Sequence, residues 1–144
     1  MSDHPTDATC VFCKIIAGQI PSYKVYEDDL VFAFLDIGPL VRGHTLVVPK
    51  AHHATVSETP AELFGQVSAR LPKITSAVLA ATQSKACHVL TNNGTDAMQS
   101  VAHLHFHIIP RRSGDRFHIP WNTTPLLKDQ ATTLAGAIAT AIHG

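Results

Sequence analysis

The chain is short of charge. Lys and Arg number 11, Asp and Glu number 11, and charged residues make up only 15% of the 144 positions, for a formal net charge of zero. Without a basic excess there is nothing to mark a general nucleic-acid binder. With 45% hydrophobic residues and so few charges, disorder is excluded too. No uninterrupted apolar run approaches the length of a membrane span. The polar, slightly acidic start, Met1-Ser2-Asp3-His4-Pro5-Thr6-Asp7, does not read as a signal peptide. Cysteine is scarce and odd in number: Cys10, Cys13 and Cys87. One close pair plus a third cysteine suits a reducing compartment, where C-x-x-C binds metal or does redox work more often than it staples a fold. A cytoplasmic protein is expected. Internal repeats and low-complexity segments are absent, so residues 1–144 read as a single domain. Residues 1–9 are expected to be a flexible tail and 113–144 a C-terminal extension.

Histidine, by contrast, is abundant, with ten residues, and three of them alternate in His103-Leu104-His105-Phe106-His107 before Ile108-Ile109-Pro110-Arg111. Successive side chains of a strand point to opposite faces. Such a strand would send Leu104, Phe106 and Ile108 into a core and gather the three imidazoles in a cleft. A helix would scatter them.

The rest of the chain alternates short apolar stretches with turn signals. Cys10 to Ala17 reads as one or two helical turns stopped by Gly18. Tyr23–Glu27 and Leu30–Asp36 read as a hairpin turning at Glu27-Asp28-Asp29, and His44–Pro49 as the next strand. Thr59-Pro60-Ala61-Glu62 predicts a capped helix start, with Thr59 as cap, Pro60 at the first helical position and Glu62 closing a capping box. That helix should reach about Gln83, kinked or split at Pro72. A strand over Cys87–Thr91 and a turn at Asn92-Asn93-Gly94 lead to the histidines. Residues 111–125 are expected to be irregular, and Ala131–Ile142 a closing helix with Leu134, Ile138 and Ile142 on one stripe. The fold class is α+β: a mainly antiparallel sheet with flanking helices.

The run His103-x-His105-x-His107, with Phe12-Cys13-Lys14-Ile15-Ile16, Phe34-Leu35-Asp36-Ile37, Gly43-His44-Thr45-Leu46-Val47-Val48-Pro49-Lys50 and Gln99-Ser100-Val101, resembles the histidine triad family of nucleotide-binding proteins. The resemblance spans about Cys10 to Arg112. It implies chemistry at the α-phosphorus of a purine nucleotide conjugate through a covalent nucleotidyl-histidine, most nearly that of the purine nucleoside phosphoramidases. It makes His105 the nucleophile and His107 a phosphate- and ribose-contacting partner. Gln99 and Ser100 become phosphate contacts, with Ser100 able to protonate an amine leaving group. His44 is placed beside the active site, Asp36 on the ribose hydroxyls and Asn92 among the polar site residues. Phe12, Ile15, Phe34 and Ile37 would form the base slot. From composition alone those four read as ordinary core, and Asn92 as turn chemistry beside Gly94. A homodimer is implied as well.

Cys10-x-x-Cys13 alone is a weak signal. Some bacterial members of the family, and the related hexose-phosphate uridylyltransferases, join such a pair to a histidine after the Pro-Lys segment and to the first triad histidine. The matching set is Cys10, Cys13, His52 and His103, which would hold a structural zinc with no open position for water. His52 is preferred over its neighbour His53 on spacing. Three alternatives stay open: a dinucleoside polyphosphate hydrolase, a metalloenzyme whose ion is bound by all three strand histidines, and a nucleotide-binding regulatory module without turnover.

Overall fold

Side-chain alternation decides how the sheet is buried. The computed structural model describes residues 4–144. Five strands, β1 (Lys24–Glu27), β2 (Val31–Leu35), β3 (Thr45–Pro49), β4 (Ala86–Leu90) and β5 (Phe106–Arg111), form one antiparallel sheet in the order β1-β2-β3-β5-β4. Val31 and Ala33 of β2, Val47 of β3 and Phe106 and Ile108 of β5 point to one face. There they meet Val67 of α2 (Ala61–Ser68) and Ile74 and Val78 of α3 (Leu71–Thr82). Phe32, Phe34, Leu46 and Val48 point to the other face, against Cys10, Phe12 and Cys13 around α1 (Val11–Ile16). Both faces are therefore covered, which is why β2 and β3 read as continuous apolar runs. His107 pairs with Leu46 and so belongs to the α1 face.

Several boundaries differ from the sequence-based expectation. The predicted long helix is split, with α2 ending at Ser68 and α3 starting at Leu71. Pro72 lacks an N–H and its ring would strike the carbonyl four residues back, so it is accommodated in the first turn of a new helix. The capping box does not form: Thr59 Oγ1 donates to the Thr55 carbonyl at 2.7 Å, and Pro60 is the cap residue with no side-chain bond. The strand carrying the histidines begins only at Phe106, because the Leu104 N–H donates to the His53 carbonyl at 2.7 Å instead of joining the ladder.

Residues 1–3 of the expected flexible tail lie outside the described residues. The rest of that tail is tied down. The His52 N–H donates to the Pro5 carbonyl at 2.7 Å, Cys10 N–H to the Asp7 carbonyl at 3.1 Å, and Asp7 N–H to Cys13 Sγ at 3.5 Å. The need to present Cys10 and Cys13 orders it.

The closing helix is α4 (Lys128–His143), longer than the predicted span. Its stripe of Leu134, Ile138 and Ile142 is present but exposed, and no residue of α4 is buried in this chain. Among the described residues, no helix is long and apolar enough to cross a membrane.

Candidate active site and metal cluster

The three alternating histidines do not share one cleft. His103 turns toward the N-terminal cysteines, whereas His105 and His107 lie with ring centroids 4.9 Å apart. The Phe12 ring stands edge-on to both His103 and His105, with centroids 5.9 and 5.0 Å away. A metalloenzyme using all three strand histidines has no geometric basis in this arrangement.

Backbone groups fix the tautomer of each ring, because a carbonyl only accepts and an N–H only donates. His105 Nδ1 lies 2.6 Å from the His103 carbonyl and must donate to it, which leaves the lone pair on Nε2. His103 Nε2 donates to the Pro49 carbonyl at 2.8 Å, leaving its lone pair on Nδ1. The Leu40 N–H donates to His44 Nδ1 at 3.1 Å, so a neutral His44 carries its proton on Nε2. That proton is donated to His107 Nδ1 at 2.9 Å. A neutral His107 must then carry its own proton on Nε2, a buried atom with no partner among the described residues. The result is one ring with an open lone pair beside one with an open N–H.

Burial keeps these rings neutral. It lowers the pKa of His105 and of His44, and pushes His107 down to about 4, with the neighbouring His105 and His44 adding to the effect. Asp36, at the end of β2, lies 3.7 Å from His44 Nε2 and accepts the Gly38 N–H at 2.8 Å. Asp36, His44 and His107 could be taken for a second metal cluster. Their nitrogens are already joined in the donor chain just described, so they form a relay and not a cage.

The Cys10, Cys13, His52 and His103 cluster is different, since its donor atoms all lie within 4.8 Å of one another. A tetrahedral zinc with ordinary bond lengths has edges of about 3.3 Å between two nitrogens and about 3.5 Å between nitrogen and sulfur. Here the two Nδ1 atoms are 3.1 Å apart, Cys13 Sγ is 3.4 Å from His52 Nδ1 and 3.6 Å from His103 Nδ1, and Cys10 Sγ is 3.5 Å from His103 Nδ1. The residues fit a four-ligand metal. Asp7 Oδ2 stands 3.9 Å from His52 Nε2, the ring nitrogen not in the cluster, beyond hydrogen-bond distance. His53 is outside the cluster. Burial raises the Cys13 thiol pKa, so a metal is what would keep it ionised.

The remaining expected site residues are spread more widely. Phe12 and Phe34 are buried core beneath the histidines and Ile15 packs beside them, while Ile37 is 87% exposed on the Asp36 loop. Gln99 has its side-chain amide engaged twice, accepting from the Gly94 N–H and donating to the Ala54 carbonyl, both at 2.7 Å. It braces the loop that carries Ser100, which is exposed. Asn92 is half-buried at the end of β4. Sequence reasoning missed the Leu40 amide and the His103 and Pro49 carbonyls. Main-chain groups leave no signature in residue type.

The HIT domain matches residues 17–114. The adenosine 5′-monophosphoramidase hnt1 of Schizosaccharomyces pombe is 37% identical over 135 residues, covering 93% of this chain and 98% of its own. The crystal structure of SMU.412c from Streptococcus mutans UA159 superposes with a TM-score of 0.93 at 39% identity, covering 99% of this chain and 90% of its own. A zinc-bound histidine triad family protein from Mycobacterium smegmatis superposes at 0.72 with 34% identity, covering 94% and 96%.

Proposed function

The chain belongs to the HIT domain family, and on that premise we propose that it is a purine nucleoside phosphoramidase working through a nucleotidyl-histidine. The observation that carries this reading is the 2.6 Å bond from His105 Nδ1 to the His103 carbonyl, which leaves Nε2 free to attack. In the first step His105 Nε2 forms a bond to the α-phosphorus and the phosphorus–amine bond breaks. The attacked ring gains positive charge, and the His103 carbonyl on its other nitrogen offsets it. His107 Nε2–H donates to a phosphate oxygen, and the Ser100 hydroxyl protonates the departing amine. Water then attacks the phosphorus and the phosphorus–imidazole bond breaks; the water's proton returns to Ser100, the nucleotide is released and the His105 lone pair is restored. Asp36 takes the ribose hydroxyls. Phe12, Ile15, Phe34 and Ile37 flank the base, and Asn92 and Gln99 line the phosphate side. The phosphoramidase relative supports the amine leaving group.

Cys10, Cys13, His52 and His103 would hold a zinc. The zinc-bound relative and the cluster edges support this. With four protein ligands the ion would fasten the N-terminal segment to His103, two residues before the nucleophile, and would leave no position for water. The active form is proposed to be a cytoplasmic homodimer. The exposed stripe on α4 supports it: a helix with no buried residue of its own superposes on the Streptococcus mutans structure along with the body, which suits support from outside the chain.

The test is hydrolysis of an adenosine phosphoramidate. Intact protein should turn over, and His105→Ala should lose at least about a thousandfold in kcat while still binding adenosine monophosphate. Intact protein in chelator should keep its rate for as long as it stays folded. Full activity in His105→Ala would sink the covalent reading. Loss of activity in chelator with the fold intact would make the metal catalytic.

A further inference from the structure

The chain has five arginines. Two are paired with carboxylates: Arg70 with Asp28 at 2.9 Å, and Arg111 with both oxygens of Asp115 at 2.8 Å. The other three, Arg42, Arg112 and Arg116, come from separate parts of the chain and line one concavity of about 390 Å³. Arg42 lies in the loop before β3, Arg112 just after β5, and Arg116 in the C-terminal extension. Arg42 and Arg116 have no hydrogen bond or ion pair among the described residues. Arg112 donates to the Thr82 carbonyl. The one carboxylate on the wall, Asp115, is fully engaged by Arg111 and by the Arg112 N–H at 3.1 Å, so it does not neutralise them.

Three arginines lining one concavity, with its single carboxylate already committed, give it a local positive charge in a protein whose formal net charge is zero. Their planar forks match the oxygens of a phosphate two at a time, and a chain of linked phosphates can engage several forks at once. The floor supplied by Leu40, Val41 and Pro110 is apolar and leaves space for a small organic group. We propose that this concavity binds a soluble polyphosphate anion, two or more linked phosphates either free or carrying a small organic group, at a site separate from the catalytic histidines. It does not rest on the chemistry proposed for His105. The site depends on the extension, since Arg116 is presented by the Arg111–Asp115 pair and by the Arg111 bond to the Phe117 carbonyl.

Inorganic tripolyphosphate is titrated into the ¹⁵N-labelled full chain in about 0.15 M salt, where weak surface pairing is screened. Saturable shifts are expected at the amides of residues 40–42, 84 and 112–117. Orthophosphate should bind at least about tenfold more weakly, as fewer forks are engaged. Arg42→Gln with Arg116→Gln should weaken tripolyphosphate by about tenfold or more, and the matching pair of lysine substitutions by less, because charge is kept and the fork lost. Both side chains are exposed, so the melting temperature and phosphoramidate hydrolysis should stay at the intact values. Shifts confined to residues 99–107, shifts that never saturate, or wild-type affinity in the double glutamine variant would each overturn the proposal.

Discussion

His44 never needs to touch a substrate to matter. It receives the Leu40 N–H on one nitrogen and passes its own proton toward His107 on the other, so it sets which way His107 faces chemically. His44→Phe keeps the ring volume and removes the donor. His107 would then be free to flip its tautomer and lose the N–H aimed at the phosphate. A fall in kcat of about 10- to 100-fold with KM little changed is expected, with the melting temperature nearly preserved; an equal rise in KM would point to simple loss of shape. The same burial gives a pH signature to stability. His107 is held down to about 4 in the folded state against an ordinary value of 6.5, and His44 is lowered as well. Between those limits the unfolded chain binds more protons than the folded one, so stability rises with pH through this window and is lost as pH falls from 6.5 toward 4. For His107 this amounts to as much as about 3 kcal/mol. Urea unfolding at pH 7, 6 and 5 should show the decline, and His107→Asn should make it shallower without abolishing it, because His44 and His105 are lowered by burial as well.

At the scale of elements, the crossing of α3 over the loop before β3 hinges on Gly43. Its φ is +91°, and a Cβ there would overlap Thr82 Cγ2 near the end of α3 and press on Pro110 of β5 at 3.3 Å. Gly43→Ala therefore meets both a backbone penalty and a steric one, and should lower stability by about 2–4 kcal/mol. Adding Thr82→Ser removes the nearest methyl and should recover part of the loss but not all, since the positive φ remains. Thermal melts of the two variants separate these contributions. The Asp28 carboxylate fastens the other end of the helical layer. Burial opposes its ionisation, but hydrogen bonds from Arg70, from the Leu30 and Val31 amides and from Tyr26 prevail and hold it well below the usual carboxylate range. The hairpin turn is thereby joined to the break between α2 and α3.

For the whole molecule, the body and the extension obey different rules. Both core clusters lie between Cys10 and Ile108, while Trp121, Leu126 and Leu127 stand exposed before α4. Deleting residues 128–144 should leave the body folded, with its melting cooperative, because no buried side chain is removed. If α4 joins two copies, light scattering should report the mass falling from two chains to one. A truncated chain that stays dimeric would move the contact elsewhere, with the exposed edge of β4 as the next place to look.

Local pattern determined much of this protein. Strand positions, the helical turn at Val11–Ile16 and the split at Pro72 follow from periodicity and from the stereochemistry of proline, which act over a few residues at a time, whereas the set Cys10, Cys13, His52 and His103 was legible only through the resemblance to a known family. Alternation also placed Leu104, Phe106 and Ile108 in the core. It could not foresee that the chain leaves the ladder before Phe106, so that His103 joins the cysteines while His105 and His107 stay together. That choice belongs to carbonyls and amides at Pro49, His53, His103 and Leu40, which carry no residue-specific signal and act only once distant segments meet. Thr59 was misread for the same reason, its hydroxyl being taken by the Thr55 carbonyl. The gathering of Arg42, Arg112 and Arg116, up to 74 positions apart, is likewise a product of the fold alone. Sequence spelled out which side chains can do chemistry here; only the packing of backbone against ring decided which nitrogen of each histidine is free to do it.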